Sequence, residues 1–360
     1  MTTDVAAPAP RTEPFAFTGS GRDYFPIWLT NVVFSVATLG IYSAWAKARR
    51  LRYFYRHTRL AGAGFDYHGR PAALLKGRVV AVALFGLYSL AGYVSPWLTL
   101  ASVAGLATVL PWLAARSFRF RCRNTSHRGV RFNFNGSMRS AYGGFLGLPA
   151  LALVSLGLMV PFWHHRLKRY QHGHSAYGRS AFGFFGDADP FYAIYFSASL
   201  LTIGLGIALV VGLGLAGSLV TLALTGSANP TRVEPGSAAW VIVFSLAIVG
   251  YLAVITAVQA FLAARIGRHV WAHTTLGRTR FVWRIEAPRL FVIRLTNLLL
   301  TVVTLGLYRP FAQVRLARYL TEAFVVVGAG GLDAFEALPA GDVGAYGDEA
   351  MEFLDFDIGF

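Results

Sequence analysis

The sequence predicts a polytopic, all-α membrane protein: a helical bundle of five internal repeat units, with short aromatic strand-like segments at the membrane surface. Three observations carry that expectation. Charged residues make up only 14% of the 360, and mean hydropathy is +0.50, against roughly 25% charge in soluble domains. Five windows (Tyr24–Ala46, Val79–Ala115, Ser140–Leu158, Pro190–Thr231 and Pro235–Ala264) hold no Asp, Glu, Lys or Arg. About 20 apolar residues cross a ~30 Å hydrocarbon core as a helix, and these runs lack the alternation of membrane-barrel strands. The third observation is a ten-residue pattern that occurs five times, each time ending an apolar segment.

That pattern is small-or-Pro, Trp/Phe, three residues, Arg, two residues, Arg, then an aromatic or His. Its copies are Ala44-Trp45 with Arg49, Arg52 and Tyr53; Pro111-Trp112 with Arg116, Arg119 and Phe120; Pro161-Phe162 with Arg166, Arg169 and Tyr170; Ala260-Phe261 with Arg265, Arg268 and His269; and Pro310-Phe311 with Arg315, Arg318 and Tyr319. Repetition of this kind sets architecture before any single motif is read. Spacings of four and seven place the ring and both Arg on one helical face.

A second element is Phe-x-aromatic, usually with Gly two residues on: Phe15-Ala16-Phe17, Phe65-Asp66-Tyr67, Phe132-Asn133-Phe134, Phe182-Gly183-Phe184 and Phe281-Val282-Trp283. Four copies follow an Asn/His-Ser/Thr pair: His57-Thr58, Asn124-Thr125, His174-Ser175 and His273-Thr274. Alternating aromatics closed by Gly read as short strands ending in turns. Paired, they form a small sheet at the membrane surface; otherwise the rings are a belt at headgroup level.

From first Phe to last aromatic the units run 38 residues in the first, third and fifth copies, 55 in the second and 87 in the fourth. The short units hold one apolar segment and the long ones two, turning near Ser95-Pro96 and across Gly226–Gly236. The domain plan is therefore a disordered start (1–13), a membrane domain (14–327; units 15–53, 65–120, 132–170, 182–269 and 281–319) and an acidic tail (328–360). All 33 Lys and Arg precede Glu322, with nine acidic residues up to and including Glu322, and the remaining eight acidic residues follow it.

Topology is where the reading divides. Seven simple spans would put equivalent basic loops on alternating sides, against the positive-inside tendency. The other reading has the short-unit segments bending at Thr38-Leu39-Gly40, Ser155-Leu156-Gly157 and Thr304-Leu305-Gly306 and returning, so that only the long units cross. Leu295–Tyr308 offers 14 residues between Arg294 and Arg309, about 21 Å of helix.

The run from Phe15-Ala16-Phe17-Thr18-Gly19 through Tyr24-Phe25-Pro26-Ile27-Trp28, with Thr38 to Lys47 and Arg52-Tyr53-Phe54-Tyr55, resembles the YjgN-like family of bacterial inner-membrane proteins, a domain of unknown function. The resemblance covers roughly residues 14 to 327. It implies residence in the inner membrane and supplies no catalytic residues; the charge-free windows imply multiple passes. Loop charge places the C-terminus in the cytoplasm.

The chemistry expected is binding rather than catalysis. No acidic residue lies inside an apolar segment, and metalloprotease, serine-hydrolase and phosphate-loop patterns are absent. No enzyme activity and no cofactor are expected. His164, His165, His172 and His174 cluster without a carboxylate or thiol, so no metal site is assigned. The candidate site is the ten motif arginines, Arg49, Arg52, Arg116, Arg119, Arg166, Arg169, Arg265, Arg268, Arg315 and Arg318, gripping anionic membrane lipid or a protein partner through guanidinium–phosphate pairing. Nucleic acid is not expected, because the basic residues flank membrane segments. The alternative is a transporter or channel for a lipid or small solute, suggested by broken segments with Asn31 and Asn297 inside them.

Overall fold

The structure is a computed structural model that describes residues 11–226 and 236–328. The expected disordered start and acidic tail lie outside the described residues, except that Arg11–Glu13 open the first strand and Gly328 ends the last. In chain order the elements are β1 (Arg11–Phe17), α1 (Gly21–Ala37), α2 (Ser43–His57), β2 (Thr58–Leu60), β3 (Ala63–Tyr67), α3 (Pro71–Val94), α4 (Pro96–Arg123), β4 (Thr125–His127) and β5 (Val130–Phe134). There follow α5 (Met138–Tyr142), a π-helical turn (Gly143–Gly147), α6 (Leu148–Val154), α7 (Val160–Gly173), β6 (Ser175–Tyr177), β7 (Ser180–Phe184), α8 (Asp189–Thr225) and α9 (Ala238–Ala272). The chain ends with β8 (Thr274–Leu276), β9 (Thr279–Trp283), α10 (Ala287–Val303), α11 (Arg309–Glu322) and β10 (Phe324–Gly328).

The ten strands close a barrel in the order β1-β10-β9-β8-β7-β6-β5-β4-β3-β2, every pair antiparallel. This overturns the expected all-α bundle of five internal repeat units. Backbone hydrogen bonding around a closed sheet organises the fold, and four helices, α3, α4, α8 and α9, are long and apolar enough to cross a membrane. The physical reason for the miss is length. Alternate strands of the barrel, β2, β4, β6 and β8, run only three residues each, too short to show an alternation of period two.

Register explains both short motifs. The two rings of each Phe-x-aromatic stand on one face of their strand. Phe15, Phe65, Phe132, Phe182 and Phe281 fill the lumen. Opposite them across the ladder lie Leu60, His127, Tyr177, Leu276 and Val326. Phe15 stacks on Phe65 with centroids 5.8 Å apart, Phe65 on Phe132 at 6.4 Å and Phe182 on Phe281 at 5.9 Å. The second rings meet the helix ends at one mouth: Phe17 lies 5.9 Å from Phe54, Phe134 is 5.2 Å from Tyr170, and Trp283 is 6.3 Å from Trp271.

The Asn/His-Ser/Thr pairs cap helices. Thr58, Thr125, Ser175 and Thr274 donate their hydroxyls to the carbonyls of Phe54, Arg121, Gln171 and Val270, four residues back. Asn124 Nδ2 likewise reaches Phe120 O at 2.9 Å, and His57 Nδ1 lies 2.7 Å from Tyr53 O. Carbonyls that a helix terminus leaves without partners are thus satisfied at the point where helix becomes strand.

The same register fixes where each helical segment begins and ends. Phe17 pairs with Thr58, Tyr67 with Thr125, Phe134 with Ser175, Phe184 with Thr274 and Trp283 with Phe324. Between the members of each pair the chain makes one helical excursion, so all five excursions leave and rejoin the barrel at one end. The strands, three to seven residues long, are too short to span a bilayer, which takes about nine to eleven.

The chain divides into two compact units, one within 1–188, 268–284 and 307–360, the other 189–267 and 285–306. In the first, α1 and α2 pack as a hairpin, tied by Asn31 Nδ2 donating to Ala46 O at 3.4 Å. The α6–α7 limb folds back similarly, with Trp163 Nε1 donating to Gly144 O at 2.7 Å. In the second unit α8 and α9 approach where Leu209 sits against Gly250. Gly204, Gly206, Gly212 and Gly214 face open space.

Two outcomes follow from these contacts. A Cβ at Gly136 would meet the Phe134 ring and come 2.6 Å from Tyr170 Oη, so Gly136→Ala is expected to cost about 1–3 kcal/mol, seen as a lowered melting temperature in detergent. His127 and His172 are 2% and 5% exposed. Burial holds both below the ordinary histidine value, His172 at about 3, with Lys168 adding to the effect there and Arg128 at His127. A depressed folded-state pKa leaves stability intact above about 6.5 and removes it as pH falls towards the folded value. Melting temperature should therefore drop on acidification below about 6.5, and His172→Phe should flatten that slope.

Candidate anion-binding groove and the arginine columns

The site is built from the pitch of α2 against α1. On α2, Arg49, Arg52 and Arg56 recur every three or four residues and share a face with Tyr53 and His57. Facing them on α1 are Pro26, Ile27 and Thr30. Together these residues line a groove of about 500 Å³, with a cationic wall and a largely apolar one. That composition suits an amphiphile with a negative head.

The basic wall is partly engaged within the protein. Arg56 Nε lies 3.1 Å from Asp66 Oδ1, a pair whose side chains are 63% and 40% exposed, so its strength is small. The Asp66 carboxyl nevertheless lies below its usual value: desolvation raises it, and the Arg56 and Tyr67 N–H hydrogen bonds outweigh that. Arg52 Nη2 donates to Gly69 O at 3.2 Å. Arg49 is exposed and stands over the Tyr42 ring, 5.6 Å from its centroid. At the groove's end Tyr53 Oη donates to Ser20 O and accepts from Ser20 N. Its phenol is raised, first by burial.

The two arginine columns separate. In the second column, Arg52, Arg119 and Arg318 donate to the carbonyls of Gly69, Gly136 and Gly19, each the glycine that follows a Phe-x-aromatic strand. The glycine is needed because the preceding ring folds over it, leaving no room for a Cβ. At Gly186 the donor is His165, with Nε2 2.9 Å from the carbonyl, and Arg169 is exposed. Arg268 is also exposed. Three first-column arginines stack on their own motif ring instead. Arg116 lies 5.1 Å from Trp112, Arg166 5.1 Å from Phe162 and, in the second unit, Arg265 5.6 Å from Phe261. Arg315 is exposed on α11. The structure therefore gathers Arg49 and Arg52 into one groove and leaves the other eight outside it. It adds Arg56, which sequence reasoning missed although it stands four residues beyond Arg52 on the same face.

The histidines play structural parts. His165 serves Gly186, and His174 Nδ1 lies 3.1 Å from Tyr170 O. No group of three or more His, Cys, Asp or Glu side chains suited to a metal occurs among the described residues.

A closed, ring-filled barrel from which apolar helix pairs depart and to which they return defines an integral membrane protein. The chain belongs to a family described as "Bacterial protein of unknown function (DUF898)", whose profile matches residues 12–353. It is similar to the inner membrane protein YjgN of Salmonella typhimurium, 32% identical over 148 residues, which is 40% of this chain and 37% of that protein. YjgN of Escherichia coli K12 is also 32% identical, over 152 residues, 40% of this chain and 36% of that protein. The matched region thus spans little more than a third of those relatives' length. No solved structure matches.

The two columns make different demands. Arg119→Gln removes a charged donor from a partly buried carbonyl and should cost about 1–3 kcal/mol. Arg116→Gln, which loses its stacking on Trp112, should cost about 1 kcal/mol or less. Thermal melts of the two variants in one detergent check this; equal losses would contradict the assignment.

Proposed function

We propose that this is a non-enzymatic protein of the bacterial inner membrane that holds the headgroup of an anionic lipid in the α1–α2 groove. The observation that carries the reading is the groove's composition: Arg49, Arg52 and Arg56 on one wall, Pro26 and Ile27 on the other. Bidentate guanidinium–phosphate pairing suits the first wall and acyl chain the second. The relatives' name supports the choice of membrane.

Orientation follows from charge. The barrel and all five arginine rows lie on one side in this reading, because each row's second Arg precedes a barrel strand by six residues. Positive charge favours the cytoplasm, which then holds the barrel and the C-terminus. The remaining first-column arginines supply general attraction to anionic lipid, each about 1 kcal/mol. Those on the first unit also form a surface for a protein partner of acidic character. Nucleic acid has no place in this reading.

Transport of a lipid or small solute is the competing reading, and the structure gives it less support. The barrel lumen is packed with aromatic rings, and Asn31, a suggested polar step, is spent on tying α1 to α2.

Native mass spectrometry of the full chain, purified from membranes containing phosphatidylethanolamine and phosphatidylglycerol, tests the proposal. Wild-type protein should retain phosphatidylglycerol preferentially, and Arg49→Gln with Arg56→Gln should lose that preference several-fold. Undiminished retention by the double variant would rule the groove out.

A further inference from the structure

We infer that the turns at Leu39, Leu156 and Leu305 are lipid-buried tips, each dipping part-way into the hydrocarbon and ending there. Their occupant is acyl chain rather than a protein surface. The inference does not depend on the headgroup reading: an empty groove would leave the tips where they are.

Exposure is the first ground. Leu39, Leu156 and Leu305 are 95%, 94% and 93% exposed, more than any other large apolar side chain among the described residues. Val36 and Ile41, Val154 and Leu158, and Val303 and Leu307 extend the same apolar knobs. Backbone conformation is the second. The three leucines hold φ of 49°, 51° and 49°, followed by glycines at 92°, 90° and 93°. A left-handed position disfavours a bulky side chain and suits Asn or Gly. Leucine therefore serves what its side chain touches, not the turn.

The third ground points to hydrocarbon in particular. In lipid every backbone donor must be satisfied internally, and the first two turns satisfy their own in full. Leu39 N donates to Val36 O, Gly40 N to Ser35 O, Ile41 N to Thr38 O, Tyr42 N to Thr38 Oγ1 and Ser43 N to Gly40 O. The second turn repeats this bond for bond. Leu156 N donates to Leu153 O, Gly157 N to Ala152 O, Leu158 N to Ser155 O, Met159 N to Ser155 Oγ and Val160 N to Gly157 O. At the third, Leu305 N donates to Val302 O and Gly306 N to Thr301 O.

Behind each tip the chain grades from apolar to aromatic to Arg. Tyr42 stacks with Trp45 and lies under Arg49, Phe162 lies under Arg166, and Tyr308 stacks with Phe311 ahead of Arg315. That sequence matches a bilayer from core to headgroup. α2 begins at Ser43, two residues before Trp45, so only about 3 Å of helical rise and a tight turn separate Trp45 from Leu39, well short of a ~30 Å core, and the tip stops inside the near leaflet.

Single-cysteine variants Leu39→Cys, Leu156→Cys and Leu305→Cys of the full chain, in a Cys122→Ala background, carry a nitroxide in vesicles of phosphatidylethanolamine and phosphatidylglycerol. Collision with oxygen should exceed collision with a water-soluble nickel chelate at all three sites, and the reverse should hold at Ser95→Cys, between α3 and α4. Where a label disturbs a left-handed position, Ile41→Cys, Leu158→Cys and Leu307→Cys should give the same ordering. Nickel access above oxygen access at the tips, or reaction of the tip thiols with an impermeant reagent from either aqueous side, would overturn the inference.

Discussion

Closure of the ten-strand ladder is the constraint on which everything else depends. A barrel has no edge, so each strand needs both neighbours at once, and β1 at one end of the chain is hydrogen-bonded to β10 at the other. No strand can sit on the far side of a hydrocarbon layer from its partners without breaking two rows of hydrogen bonds in lipid. Each helical segment between strands must therefore make an even number of full crossings. α3 with α4 and α8 with α9 are the pairs long and apolar enough to cross, and the register returns each short limb to the barrel end it left.

The barrel is held from inside chiefly by rings. Five Phe and their cross-strand partners occupy the lumen, a radius that side chains alone can fill in small barrels. A fully buried ring is worth about 1.5–3 kcal/mol; Phe182 and Phe281 approach that, and Phe15, Phe65 and Phe132 are half-buried. The one histidine among those ten, His127, is kept neutral by the same desolvation and lies with Nε2 3.2 Å from Leu60 O. Trp271, at the end of α9, closes the mouth facing the helices, 4.6 Å from Phe324 and 4.7 Å from His172. Apolar side chains thus face inward on the strands while Arg59, Asp66 and Arg280 stand outside, the reverse of a membrane barrel.

Much of this was legible from residue spacing, and the failures have physical causes. Phe-x-aromatic-x-Gly announced a strand and turn because alternation and glycine both survive in five residues. Its partner strand did not, because Thr58-Arg59-Leu60 is three residues with one apolar side chain. The Asn/His-Ser/Thr pair was visible as a motif, but its meaning as a helix cap depends on a carbonyl four residues back being left over, which only the helix end reveals. Trp271 carried no periodic signal. Arg56 fell outside the ten-residue pattern and became part of a site only when α1 was laid against α2.

The arginine pattern shows why a motif with two columns need not have one role. Both columns share a helical face and a residue type, so from sequence they read as a single cationic stripe. In three dimensions Arg52, Arg119 and Arg318 of the second column reach the glycine carbonyl after a Phe-x-aromatic strand, while Arg116, Arg166 and Arg265 of the first lie over their own aromatic ring. The first contact is internal and directional, and it fixes a helix onto the barrel; the second is local and leaves the guanidinium edge to its surroundings. At α2 both columns and a third arginine meet an apolar wall. A stripe that looked equivalent in five places thus resolves into distinct contacts: three joints to glycine carbonyls, three ring stacks, and a groove beside α1.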